Sequence, residues 1–176
     1  KAGAQVIHCG FVGDNGEILI KTLENAGVDI SQLKQLPESN GHAIIQVDEA
    51  GQNCILLFSG TNHGFNAEYI GNVLKDAHEG DLLLIQNEIN ALDLIFEIAH
   101  EKKMKIAFNP SPFDDSILNL PIEYVDWWIC NEIEGAALCG EIESQSIVNS
   151  LANRFPQSNI LLTLGKDGAV FKNKDI

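Results

Sequence analysis

Four short polar stretches carry residues able to do chemistry: Gln86-Asn87-Glu88, Asn109-Pro110-Ser111-Pro112, Asn131-Glu132-Ile133-Glu134, and Thr163-Leu164-Gly165-Lys166-Asp167-Gly168. Each follows an apolar run, respectively DLLLI, KIAF, DWWIC and NILL. If those runs are parallel strands, the four stretches leave their carboxyl ends and face one rim, which is where open α/β sheets hold ligands. Carboxylates, side-chain amides and a glycine loop at such a crevice suit a nucleotide with Mg²⁺. The acids can hold the water shell of the metal, and the glycines admit phosphate or adenine close to the backbone. Taken singly, each stretch also has a plainer reading. Glu88 reads as an exposed acid at a helix entry, Asn109-Pro110 as a turn, Asn131 as an N-cap followed by acids that favour the helix dipole, and residues 165–168 as a hairpin turn. Their conjunction is what points to a site.

The elements that must position these residues are legible from periodicity. An apolar run over 6–12 predicts a strand, and Leu19, Leu23 and Ala26 mark one face of a helix closed by Gly27. The pattern then changes. GHAIIQVDEAGQNCILLFSG reads as two β-rich runs around Glu49-Ala50-Gly51-Gln52, a hairpin with glycine in its turn and no crossover helix. After Asn62 the chain alternates: helix 66–77, strand 81–85, helix 91–103, strand 105–108, strand 124–130, helices 131–138 and 146–154, and strand 159–162. That alternation predicts a parallel sheet covered by helices, with runs such as DLLLI buried on both faces. The expected division is a first part of an α/β core over 1–38, a β lid over 39–60, and the continued core over 61–176.

Composition narrows the function classes. A net charge of −14 and a pI near 4.5 argue against nucleic acid and anionic membranes as partners, since both select for basic patches. No run approaches the roughly 18 apolar residues of a membrane span, and no charged-then-apolar leader opens the chain. Cys9, Cys54, Cys130 and Cys139 lack CxxC spacing, which reads as reduced core thiols of a cytoplasmic protein and not as a zinc site. The absence of an initial Met, with KAGAQV reading as a helix tail, predicts a fragment. The five histidines have no metal spacing, and His100 falls on a solvated helix face. Trp127 and Trp128 alternate across a strand and are expected to pack under helices on both sides. Lys166 reads as a solvated turn residue.

At these same residues the chain resembles the ribokinase-like carbohydrate kinase family over nearly its whole length. CGFVGDNGEILIKTLENAGVD resembles the family's strand-and-helix segment, and SNGHAIIQVDEAGQNCILLFSGTN its substrate-covering lid. QNE, NPSP, CNEIEGAALCG and LTLGKDG are similar to its later blocks, in the same order. The N-x-x-E motif, Asn131 to Glu134, is the most specific of these. Asn40-Gly41 stands where Thr-Gly is usual, and Gly60-Thr61-Asn62 where Gly-Ala-Asn is usual.

The resemblance implies a Rossmann-like parallel sheet with a small β-hairpin lid. It also implies transfer of the γ-phosphoryl of ATP to a sugar hydroxyl, with ribose expected first and fructose or a nucleoside as alternatives. A noncatalytic nucleotide- or sugar-binding regulator on the same fold is the rival from another class. It assigns Glu88 and Ala43 to the sugar, and Asn131, Thr163, Leu164, Gly165, Lys166, Asp167 and Gly168 to ATP. Glu134 is assigned to Mg²⁺ through water. By the same resemblance the early glycine-rich sugar block would precede Lys1. The catalytic base, the anion hole and any K⁺ ligands would follow Ile176, so the fragment alone is expected to be inactive. An exposed lid edge is a liability, and burying it predicts a homodimer through the lid.

Overall fold

In the computed structural model, residues 3–49 and 53–175 are described, and they fall into two compact units. The expected hairpin turn at Ala50-Gly51-Gln52 lies outside the described residues.

The first unit comprises residues 1–73 and 88–90. β1 (Ile7–Val12) and β2 (Asp29–Gln35) pair in parallel, joined by helix α1 (Glu17–Asn25). Gly27, at φ +74°, lets the chain turn out of that helix in a backbone region L side chains avoid. β2 is an addition to the sequence reading: DISQLKQ has no apolar run, and its pairing with β1 makes it a strand. The segment expected to form the lid follows as β3 (His42–Val47) and β4 (Asn53–Phe58), antiparallel in the register His42↔Phe58 through Val47↔Asn53. Helix α2 (Ala67–Leu74) completes the unit. Its Tyr69 lies against Phe11 and Phe65, and the Tyr69 hydroxyl accepts from the Gly10 N–H (2.7 Å) and donates to the Gln32 carbonyl (2.6 Å). That hydroxyl ties α2 to both strands of the β1–β2 pair and satisfies a phenol whose ring is buried.

The second unit, residues 74–87 and 91–176, is built on a five-stranded sheet. Its strands are β5 (Leu82–Gln86), β6 (Lys105–Asn109), β7 (Trp127–Asn131), β8 (Asn159–Thr163) and β9 (Ala169–Lys172), in that spatial order. The first four are parallel and β9 is antiparallel to β8. Helices α3 (Leu92–Glu101), α4 (Glu132–Cys139) and α5 (Ser144–Arg154) supply the covering layer. Phe96, Ile106, Phe108, Trp128, Ile147, Leu151, Ile160 and Leu162 form the fully buried core. Gly135 allows the closest approach there, since a Cβ at that position would lie 2.6 Å from Ile147 Cγ2 and 3.1 Å from Leu162 Cδ1.

Several expectations change. DLLLI is not buried on both faces: Leu82 and Leu84 are 61% and 69% exposed, because the apolar run carries one more hydrophobic face than β5 has covered. Trp128 is fully buried, but Trp127 is half-exposed and stacks on Phe171 of β9 in place of a helix. The strand expected over 124–130 begins at Trp127, since residues 122–124 form a single 3₁₀ turn. Cys130 is a core thiol, Cys9 and Cys139 are half-buried, and Cys54 lies exposed on the lid. β9 follows from the hairpin reading of residues 165–168. His100 is exposed as expected, and its ring stacks on Tyr124 at 3.8 Å.

Candidate functional site

The carboxyl ends of β5, β6, β7 and β8 lie on one edge of the second unit, as their shared parallel direction and register require. Gln86 is opposite Asn109, and Asn131 is opposite Thr163. Three of the four polar stretches therefore leave the same rim, and the fourth departs from it at Gln86.

Asn131 and Glu134 are brought together by a capping box. Asn131 is the N-cap of α4, its Oδ1 accepts from the Glu134 N–H (2.9 Å), and Glu134 Oε2 accepts in return from the Asn131 N–H (2.9 Å). The local sequence dictates this arrangement, because Asn at the cap and Glu three residues on satisfy two amides that the first turn leaves unpaired. The cap also holds the Glu134 carboxylate at the positive end of α4, immediately beyond β7, with only 6% of the residue exposed. A carboxylate has lone pairs to spare after one such bond, so the cap and a role toward a metal's waters are compatible. Glu132 is exposed and accepts from the Ser144 hydroxyl (2.9 Å).

Beside the cap, residues 163–168 form the turn between β8 and β9. The Leu164 N–H donates to the Gly168 carbonyl (2.8 Å) and the Asp167 N–H to the Leu164 carbonyl (3.1 Å), folding 165–167 into a 3₁₀ turn. Gly165 (φ +56°) and Gly168 (φ +98°) occupy backbone regions that favour glycine, and a Cβ on either would meet open space. Thr163 Oγ1 lies 3.4 Å from the Cys130 carbonyl, linking the exits of β7 and β8. Lys166 and Asp167 are exposed. Burial pushes the Cys130 thiol up to about 12, helped by the Glu134 carboxylate and by Cys139, so Cys130 is an inert packing residue under the cap.

The exit of β6 is tied to that of β5 by contacts the sequence reading did not contain. Asn87 donates through Nδ2 to the Pro112 carbonyl (2.8 Å) and to Asp114 Oδ2 (3.0 Å), and its N–H donates to the Ser111 carbonyl (3.1 Å). Asn109 Oδ1 accepts from the Ser111 N–H (3.0 Å). Hydrogen bonds from the Ser116 side chain and backbone, and then from Asn87, hold the Asp114 carboxyl below its usual range. Nothing local marks Asn87 and Asp114 as partners, since 27 residues separate them.

Glu88 belongs to the first unit and is exposed in the turn that follows β5. Ala43, also in the first unit, pairs with Leu57 across the lid. Because strand neighbours alternate, Ala43 shares a face with Ile45, Val47, Ile55 and Leu57, while Ile44, Leu56 and Phe58 lie on the other. Among the described residues no group of three or more His, Cys, Asp or Glu gathers as a metal cage. Oxygen donors such as Glu134 fit a hard cation that keeps most of its water and takes other ligands from phosphate, which is the habit of Mg²⁺.

Comparison with known proteins gives the family of the chain. The profile of the pfkB family carbohydrate kinases matches residues 1–175. Among curated proteins, the ribokinase of Schizosaccharomyces pombe is 28% identical over 184 residues, covering 98% of this chain and 58% of its own. That of Staphylococcus aureus is 28% identical over 173 residues, covering 93% and 57%. The chain thus spans about three-fifths of the length of these curated relatives. The crystal structure of ribokinase from Cryptococcus neoformans var. grubii serotype A in complex with ADP superposes with a TM-score of 0.84 at 27% identity, covering 99% of this chain and 61% of that one. Arabidopsis thaliana ribokinase complexed with ribose and ATP has a TM-score of 0.79 at 20% identity, covering 98% and 59%, a likeness of fold.

Proposed function

We propose that this chain, which belongs to the pfkB family of carbohydrate kinases, is the central part of an ATP-dependent sugar kinase whose acceptor is a hydroxyl of ribose. The observation that carries the reading is the juxtaposition, at the paired ends of β7 and β8, of a capped Asn131/Glu134 motif with a glycine turn in which a Cβ on Gly165 or Gly168 would meet no described residue within 4 Å. The similarity to ribokinases from several organisms supports the choice of sugar.

In this reading each residue acts through position and charge, as phosphoryl transfer requires. Residues 163–168 border the nucleotide, with Thr163 and Leu164 at the strand end and Gly165, Lys166, Asp167 and Gly168 in the turn. Asn131 directs its amide toward phosphate oxygens while its Oδ1 holds the cap. Glu134 orients water around Mg²⁺, which when bound neutralises charge on the phosphates. Glu88 accepts hydrogen bonds from sugar hydroxyls, and Ala43 lies on the lid face turned to the sugar. K⁺ is an expected further ion of the full-length protein. The opposite lid face, with Ile44, Leu56 and Phe58 all more than half exposed, is the surface for a second copy of the chain. The cytoplasm is the expected location. No described helix is long and apolar enough to cross a membrane.

A coupled ADP-release assay on the full-length protein, offering ribose, fructose and nucleosides in turn, tests the reading. Turnover with the highest kcat/KM on ribose is expected. ATP and sugar binding without turnover would favour the regulator instead. The 176-residue fragment is expected to give no sugar-dependent turnover.

A further inference from the structure

The chain passes between its two units at residues 87–91, and an asparagine side chain anchors it on each side. Within the second unit, Asn87 is held by three hydrogen bonds to the loop after β6: Nδ2 to the Pro112 carbonyl (2.8 Å), Nδ2 to Asp114 Oδ2 (3.0 Å) and N–H to the Ser111 carbonyl (3.1 Å). Within the first unit, Asn90 grips one residue twice: its Oδ1 accepts from the Phe65 N–H (3.0 Å) and its Nδ2 donates to the Phe65 carbonyl (2.8 Å). That pair reproduces with a side chain the exchange a neighbouring strand would make. Only Glu88 and Ile89 lie between the two clasps. Just beyond, Ala91 has φ +58°, a left-handed conformation that a non-glycine residue keeps only where its surroundings over-determine it.

We infer that Asn87 and Asn90 are positioning residues which fix the backbone on either side of Glu88 and so fix where its carboxylate is presented. The inference rests on the reading of Glu88 as the sugar-binding acid and adds to it a means of pre-organisation. A carboxylate in an exposed turn is a weak positioning group, because the turn samples many conformations and sugar must bear the cost of ordering it. Two flanking residues restrained by five hydrogen bonds remove most of that freedom before the sugar arrives. The alternative, that the asparagines only stabilise their own units, predicts a lower melting temperature with no selective change toward sugar.

The test uses the full-length protein with Asn87→Ala, Asn90→Ala and Glu88→Gln, reading KM for sugar, KM for ATP and amide exchange at residues 88–89. Each alanine variant is expected to raise KM for sugar about three- to tenfold, the worth of one net hydrogen bond. KM for ATP should stay within about twofold, and exchange at residues 88–89 should quicken. Asn90→Asp keeps the acceptor for the Phe65 N–H but sets a carboxylate oxygen against the Phe65 carbonyl where Nδ2 now donates, so it should raise KM for sugar at least as far as Asn90→Ala. Asp114→Asn, which removes the acceptor for one Asn87 contact while preserving shape, should fall between wild type and Asn87→Ala. Asp114→Asn, the milder variant, carries the test if an alanine variant fails to fold. Should Glu88→Gln raise KM for sugar while the asparagine variants leave it unchanged, the clasp is overturned and the role of Glu88 stands. Should Glu88→Gln itself leave KM for sugar unchanged, the role of Glu88 falls and the inference falls with it. A rise in both KM values together, with exchange quickened throughout the chain, would mean general destabilisation and also overturn it.

Discussion

Replacing Glu134 by Gln separates the helix cap from the metal role proposed for the N-x-x-E motif. The substitution keeps the shape of a side chain that is only 6% exposed, and the amide oxygen of Gln can still accept from the Asn131 N–H now bonded to Oε2 at 2.9 Å. Gln is itself an accepted partner in a capping box. What disappears is a negative charge in the first turn of α4, worth about 0.3–1 kcal/mol against the helix dipole. Stability should therefore fall by no more than about 1 kcal/mol. Catalysis should suffer far more. If Glu134 organises the metal's waters, the loss is comparable to removing one pre-organised electrostatic group, about 2.7–4 kcal/mol or 10²–10³ in kcat. The Mg²⁺ concentration for half-maximal rate should also rise, with KM for sugar little changed. Urea denaturation gives the first quantity, and a coupled ADP-release assay with Mg²⁺ titration on the full-length protein gives the second. Asn131→Ala removes the acceptor for the Glu134 N–H together with the amide proposed to face phosphate, so it should cost about 1 kcal/mol of stability and also raise KM for ATP. If Glu134→Gln shows the small stability loss but wild-type kcat and Mg²⁺ dependence, Glu134 is a helix cap and nothing more.

Three further outcomes are expected. Gly135→Ala drives a Cβ into Ile147 and Leu162, so it should lower stability by about 1–3 kcal/mol despite the better helix propensity of Ala, and a melting temperature at or above wild type would contradict the close packing of α4. The Cys130 thiol is raised from 9.0 to about 12 in the folded state, so its stabilisation is complete below pH 9 and declines as pH rises toward 12, by up to about 1.4 kcal/mol per pH unit. Cys9 and Tyr69 are raised too, but Cys130→Ala removes only the share of Cys130, so urea midpoints of variant and wild type should converge between pH 9 and 11; parallel curves would refute the assignment. Leu56→Lys, on the lid face away from Ala43, should halve the mass seen by sedimentation velocity while shifting stability by less than about 0.5 kcal/mol, and an unchanged mass would remove that face as the interface.

What could be read from the sequence was whatever depends on neighbours in the chain. Residues 131–134 announce a helix start because Asn and Glu three apart satisfy the amides of the same turn, and the structure places the cap there. The parallel run of β5, β6, β7 and β8 was legible because apolar stretches alternate with amphipathic helices, and so was the polar rim at their ends. The ATP and sugar roles proposed for particular residues came only through family resemblance, since spacing alone left the plainer readings of Glu88, Asn109 and Gly165 open. β2 escaped notice because DISQLKQ has no pattern of its own and becomes a strand by pairing with β1, more than twenty residues earlier. Trp127 and Leu84 were expected under cover because an apolar side chain reports a preference for burial, not whether a partner is within reach. The same limit hid the clasps on either side of Glu88. Asn87 and Asn90 are ordinary turn residues by type, and their partners at Asp114, Pro112 and Phe65 lie about 25 residues away in chain order. A side-chain amide bonds whatever the fold sets within about 3 Å of it, so residue type, spacing and period determined the strands, the helices and the cap, while only the tertiary structure decided which loops those amides join and which apolar faces stay open.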